Sequence, residues 1–117
     1  MTKKQQIEKL QHVAALLFDS KLAQLKIIAQ AKHETEGHLT DLAQGASVTP
    51  DMPQISIEVA NLRYERWADV RRAELNMTLA RQTALWLDAR DAAQVAFGKT
   101  QALDGIKARV FANLPRR

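Results

Sequence analysis

The sequence predicts an all-α fold, an antiparallel two-helix hairpin (a coiled coil) with a longer second helix. Apolar and small residues recur at steps of three and four along most of the chain, which is the spacing of a helix face. Glycine and proline number only 4 and 3, so long uninterrupted helices can form. We therefore expect residues 1–117 to form a single helical-hairpin domain, with helix 1 at about 3–44, a loop at 45–53 and helix 2 at about 54–112.

Helix 1 has recognisable start and stop signals. Thr2 and Gln5 have the spacing of a capping box, in which each side chain bonds the other residue's backbone N–H. Gly45 is suited to the left-handed conformation that ends many helices. The apolar or small positions predicted to line one face are Ile7, Leu10, Ala14, Leu17, Phe18, Leu22, Leu25, Ile28, Ala29, Leu39, Leu42 and Ala43.

Helix 2 begins after a loop that contains Pro50 and Pro53. Asp51 and Gln54 are placed to cap the helix, and a proline is tolerated in a first turn. Its predicted contact face continues almost to the end of the chain. That face comprises Ile55, Val59, Leu62, Val70, Ala73, Met77, Ala80, Ala84, Leu87, Ala92, Ala96, Leu103, Ile106 and Val110.

The short loop predicts the register of the two helices. If Gln44 faces Gln54, the residue numbers of paired positions add up to about 98. Large residues then oppose small ones, with Phe18 on Ala80 and Leu25 on Ala73, so Leu25→Asp should be strongly destabilising. One layer is polar, since Lys32 and Glu36 fall opposite Arg66, with Asp69 nearby. It is either a solvated charge cluster or a layer that specifies the register.

The same register leaves the end of helix 2 uncovered. Gln5 lies opposite Ala93, so residues 94–112 have no partner although they are rich in apolar side chains. We expect this segment to bind a partner or another copy of the chain. The alternative is that helix 2 bends at Gly98 or Gly105 and folds back as a third helix.

Large aromatic side chains are difficult to bury between only two helices. Exposed aromatics often anchor protein interfaces, although these could instead cover the flank of the hairpin or meet a third element. The predicted partner-binding residues are Trp67, Trp86, Phe97, Leu103, Ile106 and Val110.

Nothing in the sequence indicates catalysis, a metal site or a cofactor. Cysteine is absent, and His33 and His38 are five residues apart, which does not place two imidazoles on one helix face. No phosphate-binding glycine motif is present, and the serines lack an activating histidine and aspartate. We predict that the protein is not an enzyme.

Charge and hydropathy predict a cytoplasmic protein without a membrane span. The longest apolar run, residues 13–18, is much shorter than the roughly 20 residues that cross a bilayer. The net charge is +4, but acidic residues interrupt each arginine-containing face of helix 2, so tight nucleic-acid binding is not expected. A hairpin brings both termini to one basic end, formed by Lys3, Lys4, Lys9, Lys107, Arg109, Arg116 and Arg117.

The second helix also supports a family comparison. The series Tyr64, Trp67, Leu79, Gln82, Trp86, Arg90, Ala93, Lys99 and Leu103 resembles the FliJ and YscO group, the small stalk proteins of flagellar and virulence type III secretion. The resemblance covers roughly residues 7–110 and transfers no individual binding residue. It implies an antiparallel coiled-coil stalk inserted in a hexameric export ATPase, in contact with the export gate and substrate chaperones. The alternative is a free-standing helical interaction domain or a weak nucleic-acid-binding protein, and self-association stays open in both cases.

Overall fold

Two α-helices account for almost all of the computed structural model, which describes residues 2–45 and 53–113. Helix α1 spans Lys3–Ala43, and the longer helix α2 spans Gln54–Ala112. The sequence-predicted bounds were about 3–44 and about 54–112. The prediction of an all-α antiparallel hairpin with a longer second helix is confirmed. Neither described helix contains a stretch that is long and apolar enough to cross a membrane.

The predicted signals at the ends of α1 are present in the structure. The backbone N–H of Thr2 donates to Gln5 Oε1, and the N–H of Gln5 donates to Thr2 Oγ1, both at 3.2 Å. This confirms the capping box. Gly45 adopts a φ of 82°, the left-handed conformation expected just past the last turn. The predicted cap at Asp51 lies outside the described residues.

The chain divides into two compact units, each of which contains part of both helices. Unit 1 contains Met1–Ile28 and Leu85–Arg117, and unit 2 contains Ala29–Ala84.

The register of unit 1 follows from four contacts between the helices. The Phe18 and Phe97 ring centroids lie 5.5 Å apart, and Gln11 Nε2 donates to Asp104 Oδ1 at 2.8 Å. Two contacts of charged side chains join Lys107 to Glu8 and Lys4 to Phe111. The residue numbers add up to 115 in all four pairs. The predicted sum of about 98 is therefore wrong, and so are the pairing of Phe18 with Ala80 and of Leu25 with Ala73.

The contact face of unit 1 repeats at steps of four and three on both helices. This is the spacing of a coiled coil. On α1 its buried or half-buried members are Ile7, Gln11, Ala14, Phe18, Lys21, Leu25 and Ile28. On α2 they are Trp86, Ala89, Ala93, Ala96, Thr100, Leu103, Lys107 and Val110.

The prediction that residues 94–112 are uncovered is also wrong. This segment packs along the first half of α1, as the Phe18–Phe97 and Gln11–Asp104 contacts show. The fold-back alternative is wrong as well, because α2 continues as one helix to Ala112. The physical reason is the register, since raising the sum from 98 to 115 brings the start of α1 beside the end of α2.

Unit 2 has a small apolar core near the end of α1. Leu42, Ala68 and Leu75 are buried together, and Leu39 and Tyr64 pack against them. The Tyr64 hydroxyl donates to the backbone C=O of Leu42 at 3.4 Å. The last turn of α1 thus packs against α2 at Tyr64 and beyond, about three or more turns past the first residue of α2, Gln54. In those first turns, Ile55, Val59 and Leu62 remain exposed.

The contact face of unit 2 includes polar residues that a hydrophobicity pattern does not reveal. Thr35 is buried, and its hydroxyl donates to the C=O of Ala31 at 3.2 Å within the same helix. Gln82 Oε1 is buried without a hydrogen-bond partner in the described chain. The expected cluster of Lys32 and Glu36 with Arg66 and Asp69 does not form. Its members pair within their own helices, Lys32 with Glu36 and Asp69 with Arg72, and Arg66 is exposed.

Introduced cysteines will test the register directly, because the natural chain has no cysteine. We expect Gln11→Cys combined with Asp104→Cys to be joined almost completely by a short bismaleimide, since these side chains are hydrogen-bonded. The matched pair, Gln11→Cys with Leu87→Cys, satisfies the sum of 98 and should remain unlinked. Mobility on denaturing gels measures the result in dilute protein. Efficient linking of the second pair alone would contradict the register.

Two glycines inside α2 provide a stability prediction. A Cβ atom at Gly98 or Gly105 would meet no atom within 4 Å, so alanine fits at both positions. Each Gly→Ala substitution should stabilise the fold by about 1 kcal/mol, because alanine favours the helix more strongly. Gly45→Ala is the control and should destabilise, because its φ is positive. Thermal melts followed by circular dichroism measure the three changes, and a lower melting temperature for Gly98→Ala would contradict the prediction.

Candidate functional site

The predicted partner-binding aromatics remain partly accessible, and each lies against another side chain. Trp67 is 56% exposed, and its ring centroid is 5.7 Å from that of Tyr64. Phe97 is 48% exposed and packs on Phe18. Trp86 is half-buried, with the Arg90 guanidinium 5.4 Å from its ring centroid. These rings therefore combine a fixed position with accessible surface, as interface anchors do.

The three aliphatic candidates differ in exposure. Leu103 and Val110 are half-buried in the contact face of unit 1, where they help to hold the helices together. Ile106 is exposed and belongs to the surface of α2. A partner-binding role stays a prediction for all three, and the structure makes Ile106 the most accessible of them.

An apolar groove in unit 1 surrounds Phe97, and we call it the Phe97 groove. Its lining is almost entirely apolar and comprises Phe18, Leu22, Leu25, Arg90, Ala93, Gln94 and Phe97. Leu25, predicted to pack against Ala73, is half-buried here instead. Arg90 and Gln94 supply polar groups at its margin. The groove is suited to an apolar side chain of a protein partner.

A second groove, in unit 2, is more polar. Its lining contains Tyr64, Trp67, His38, Asp41 and Arg71, above the core residues Leu42 and Leu75. The aromatic pair provides a flat apolar surface, and the charged groups provide hydrogen-bonding capacity. The sequence did not predict that Trp67 and His38 line the same groove, because their proximity depends on the register.

The predicted basic end is partly assembled in unit 1. The ammonium groups of Lys4 and Lys107 lie 5.2 Å and 5.4 Å from the centroid of the same Phe111 ring. Lys107 Nζ also lies 3.8 Å from Glu8 Oε1, and this carboxylate reduces the net positive charge of the basic end. Lys3, Lys9 and Arg109 are exposed. The remaining members, Arg116 and Arg117, lie outside the described residues.

Three arginines of α2 lie beside carboxylates that compensate their charge. Arg71 lies 3.4 Å from Glu74, Arg72 lies 2.9 Å from Asp69, and Arg90 lies 3.6 Å from Asp91. All six side chains are at least 44% exposed, so these are solvated ion pairs that add little stability. The ion pairs reduce the net positive charge at these three positions of α2.

Among the acidic groups of residues 2–45 and 53–113, Glu36 is the one with a clearly altered pKa. A hydrogen bond from the Lys32 ammonium lowers the pKa of Glu36, and the charge of Lys32 lowers it further. Partial loss of hydration raises the pKa of Glu36 and so opposes these effects, and the charge of His33 lowers it by the least of the four contributions.

Within residues 2–45 and 53–113, no three side chains of histidine, aspartate or glutamate are grouped so that they could hold a metal ion.

Removing the Lys32 charge should therefore raise the pKa of Glu36 toward its ordinary value. We expect this for Lys32→Met in a carboxyl-detected NMR titration, and Lys26→Met is the distant control. Because folding lowers this pKa, the Lys32–Glu36 pair contributes stability above the unfolded pKa and loses it as the pH falls through the folded pKa. An unchanged pKa in Lys32→Met would contradict the assignment.

Sequence reasoning placed the contact face of unit 2 on the wrong side of α2. Val70, Ala73, Met77, Ala80 and Ala84 were predicted to face helix 1, and all are exposed. The available signal was the strict alternation of steps of four and three residues on α1, which passes through Lys32 and Thr35 despite their polarity.

Comparison of the chain with protein-family models, curated proteins and solved structures found no match.

Proposed function

We propose that this chain is a non-enzymatic coiled-coil protein that acts through protein–protein contacts. The observation that carries the proposal is the amount of apolar surface on its helices. Eighteen large apolar side chains in the described residues are at least 38% exposed, and twelve of them belong to unit 1. Single exposed apolar residues are ordinary, but series at helical spacing are typical of surfaces that bind another protein.

In its more specific form, the proposal makes the chain a stalk or escort component of a flagellar or type III secretion export ATPase in the cytoplasm. The antiparallel hairpin and the resemblance of α2 to the FliJ and YscO group support this form. The cluster of Lys4 and Lys107 at Phe111 adds a positively charged end that would attract an acidic ring or gate.

The test uses the full chain and an export ATPase encoded by the same genome. Biolayer interferometry should detect binding to the assembled ATPase ring. Reversal of the basic end by Lys3→Glu, Lys4→Glu and Lys9→Glu should weaken binding at least about tenfold, with greater losses at low salt. The control reverses the same charge on exposed α2 and α1 residues, through Arg63→Glu, Arg66→Glu and Lys26→Glu. It should bind nearly as well as the natural chain.

Absence of binding between the natural chain and the ring would reject the export-ATPase form. Equal losses in the two reversed variants would reject a specific role for the basic end.

The alternative is a free-standing interaction domain or a weak nucleic-acid-binding protein. The solvated ion pairs of Arg71, Arg72 and Arg90 weigh against nucleic acid, because a binding face needs uncompensated cations. Fluorescence anisotropy with labelled single and duplex strands tests it. Submicromolar binding that weakens steeply with salt would favour this alternative over the protein-contact proposal.

A further inference from the structure

In unit 2, α2 carries a second apolar stripe that does not face α1. We call it the Met77 stripe and define it as Val70, Ala73, Met77, Ala80 and Ala84, which follow one another at steps of three and four. Val70 is 61% exposed, Met77 is 60% exposed, and the three alanines are exposed as well. At about 100° per residue, the stripe lies roughly opposite Leu75 and Leu79, which face α1.

We propose that the Met77 stripe is the interface of an antiparallel homodimer. A two-fold axis between Thr78 and Leu79 would place Met77 on the partner's Ala80 and Ala73 on the partner's Ala84. Each layer is then repeated by symmetry, as a closed dimer requires. The large Met77 side chain meets a small residue, which favours close packing of the two helices. A parallel pair would instead place Met77 on the partner's Met77 and leave alanines facing alanines.

The charges beside the stripe also favour the antiparallel arrangement. Glu74 and Arg81 follow Ala73 and Ala80 directly, so they occupy equivalent flanking positions seven residues apart. In the antiparallel dimer, Glu74 meets the partner's Arg81, and the symmetry axis produces this attractive pair twice. A parallel dimer would place Asp69 near the partner's Glu74, where two negative charges repel. The pattern of charge therefore selects one orientation.

Both flanking groups are available for contact with a second copy. Glu74 is 62% exposed and has a long, solvated pairing with Arg71 at 3.4 Å. Arg81 is exposed and forms no ion pair with a carboxylate in the parts of the chain that the structure describes. The homodimer does not depend on the export-ATPase proposal, whose contacts are assigned to unit 1.

Sedimentation velocity of the full chain tests self-association. The concentrations should run from about 1 to about 200 μM, a range that brackets micromolar affinities. We expect a reversible monomer–dimer equilibrium that Met77→Glu abolishes. Glu74→Arg alone, or Arg81→Glu alone, should weaken the dimer about tenfold, since each replaces two attractive pairs with repulsive ones. The double variant Glu74→Arg with Arg81→Glu should restore most of the affinity, because the exchanged charges pair again across the axis. Glu58→Arg is the control for a charge change outside the stripe.

A spin label determines the orientation independently. Glu65→Cys provides the single thiol, and its labels in the antiparallel dimer should lie about 40 Å apart, from 27 residues at about 1.5 Å each. A parallel dimer would place them within about 20 Å, since coiled-coil partners lie 8–10 Å apart. Pulsed dipolar spectroscopy distinguishes the two distances.

Several outcomes would overturn the proposal. They are a monomer over the whole concentration range, a label separation below about 20 Å, and a charge-exchanged double variant no tighter than the single variants. Association that is unaffected by Met77→Glu would also overturn it, because the contact would then lie on another surface.

Discussion

Ala96→Glu is expected to remove the cooperative thermal transition of unit 1. Ala96 is only 2% exposed, the lowest value among the buried residues that the structure describes, and its immediate neighbour Phe97 packs on Phe18. Glutamate would add both volume and an unpaired charge at this buried position. The expected loss of unfolding free energy is about 3–5 kcal/mol, a large fraction of the stability of a small domain.

Ala102→Glu is the matched control. It makes the same chemical change in the same helix at an exposed position. Its melting temperature should remain close to that of the natural protein. Circular dichroism at about 222 nm, where α-helices absorb, measures the melting of both variants. Equal losses in the two variants would show that helix propensity, and not burial, causes the effect.

Leu75→Asp is expected to disrupt unit 2, and Met77→Asp is expected to leave the monomer folded. Leu75 is 6% exposed in the core with Leu42 and Ala68, so a carboxylate there would lose its hydration without gaining a partner. Met77 is 60% exposed, and aspartate at this position stays hydrated. We expect a loss of about 3–5 kcal/mol for Leu75→Asp and less than about 1 kcal/mol for Met77→Asp.

This comparison also tests which face of α2 meets α1. The sequence-predicted face contains Met77 and the structural one contains Leu75, so the two arrangements predict opposite results. Urea melts should be measured at concentrations where sedimentation shows a monomer, because Met77→Asp would also affect the proposed dimer. Greater destabilisation by Met77→Asp than by Leu75→Asp would favour the predicted register over the observed one.

The Phe97 groove and the Met77 stripe differ in how far binding is separated from stability. The Phe97 groove takes Phe18, Leu25 and Ala93 from the contact face of unit 1, so a partner there would contact residues that also hold the helices together. The Met77 stripe lies away from that face in unit 2. Substitutions in the stripe should therefore affect association and leave folding almost unchanged, whereas substitutions in the groove should affect both.

Local properties of the sequence were sufficient to predict the helices. Few glycines and prolines, steps of three and four, and the pair Thr2 and Gln5 act within a single helix or turn, so their effects do not depend on distant residues. The same is true of Gly45, whose positive φ ends α1. These signals predicted the fold class and both long helices.

The register was decided only by the tertiary structure. Helix α2 carries two faces with coiled-coil spacing, one with Leu75 and one with Met77, and hydrophobicity alone favoured the wrong one. A contact face only two helices wide leaves its margins near water, so long polar side chains such as Gln11, Lys21 and Lys32 can be half-buried there and still extend their polar ends to the margin. Side-chain packing along the full length, and not the length of the loop, determines which residues meet. The sequence by itself therefore determined two long antiparallel helices, while tertiary packing decided which apolar residues hold them together and which stay available to a partner.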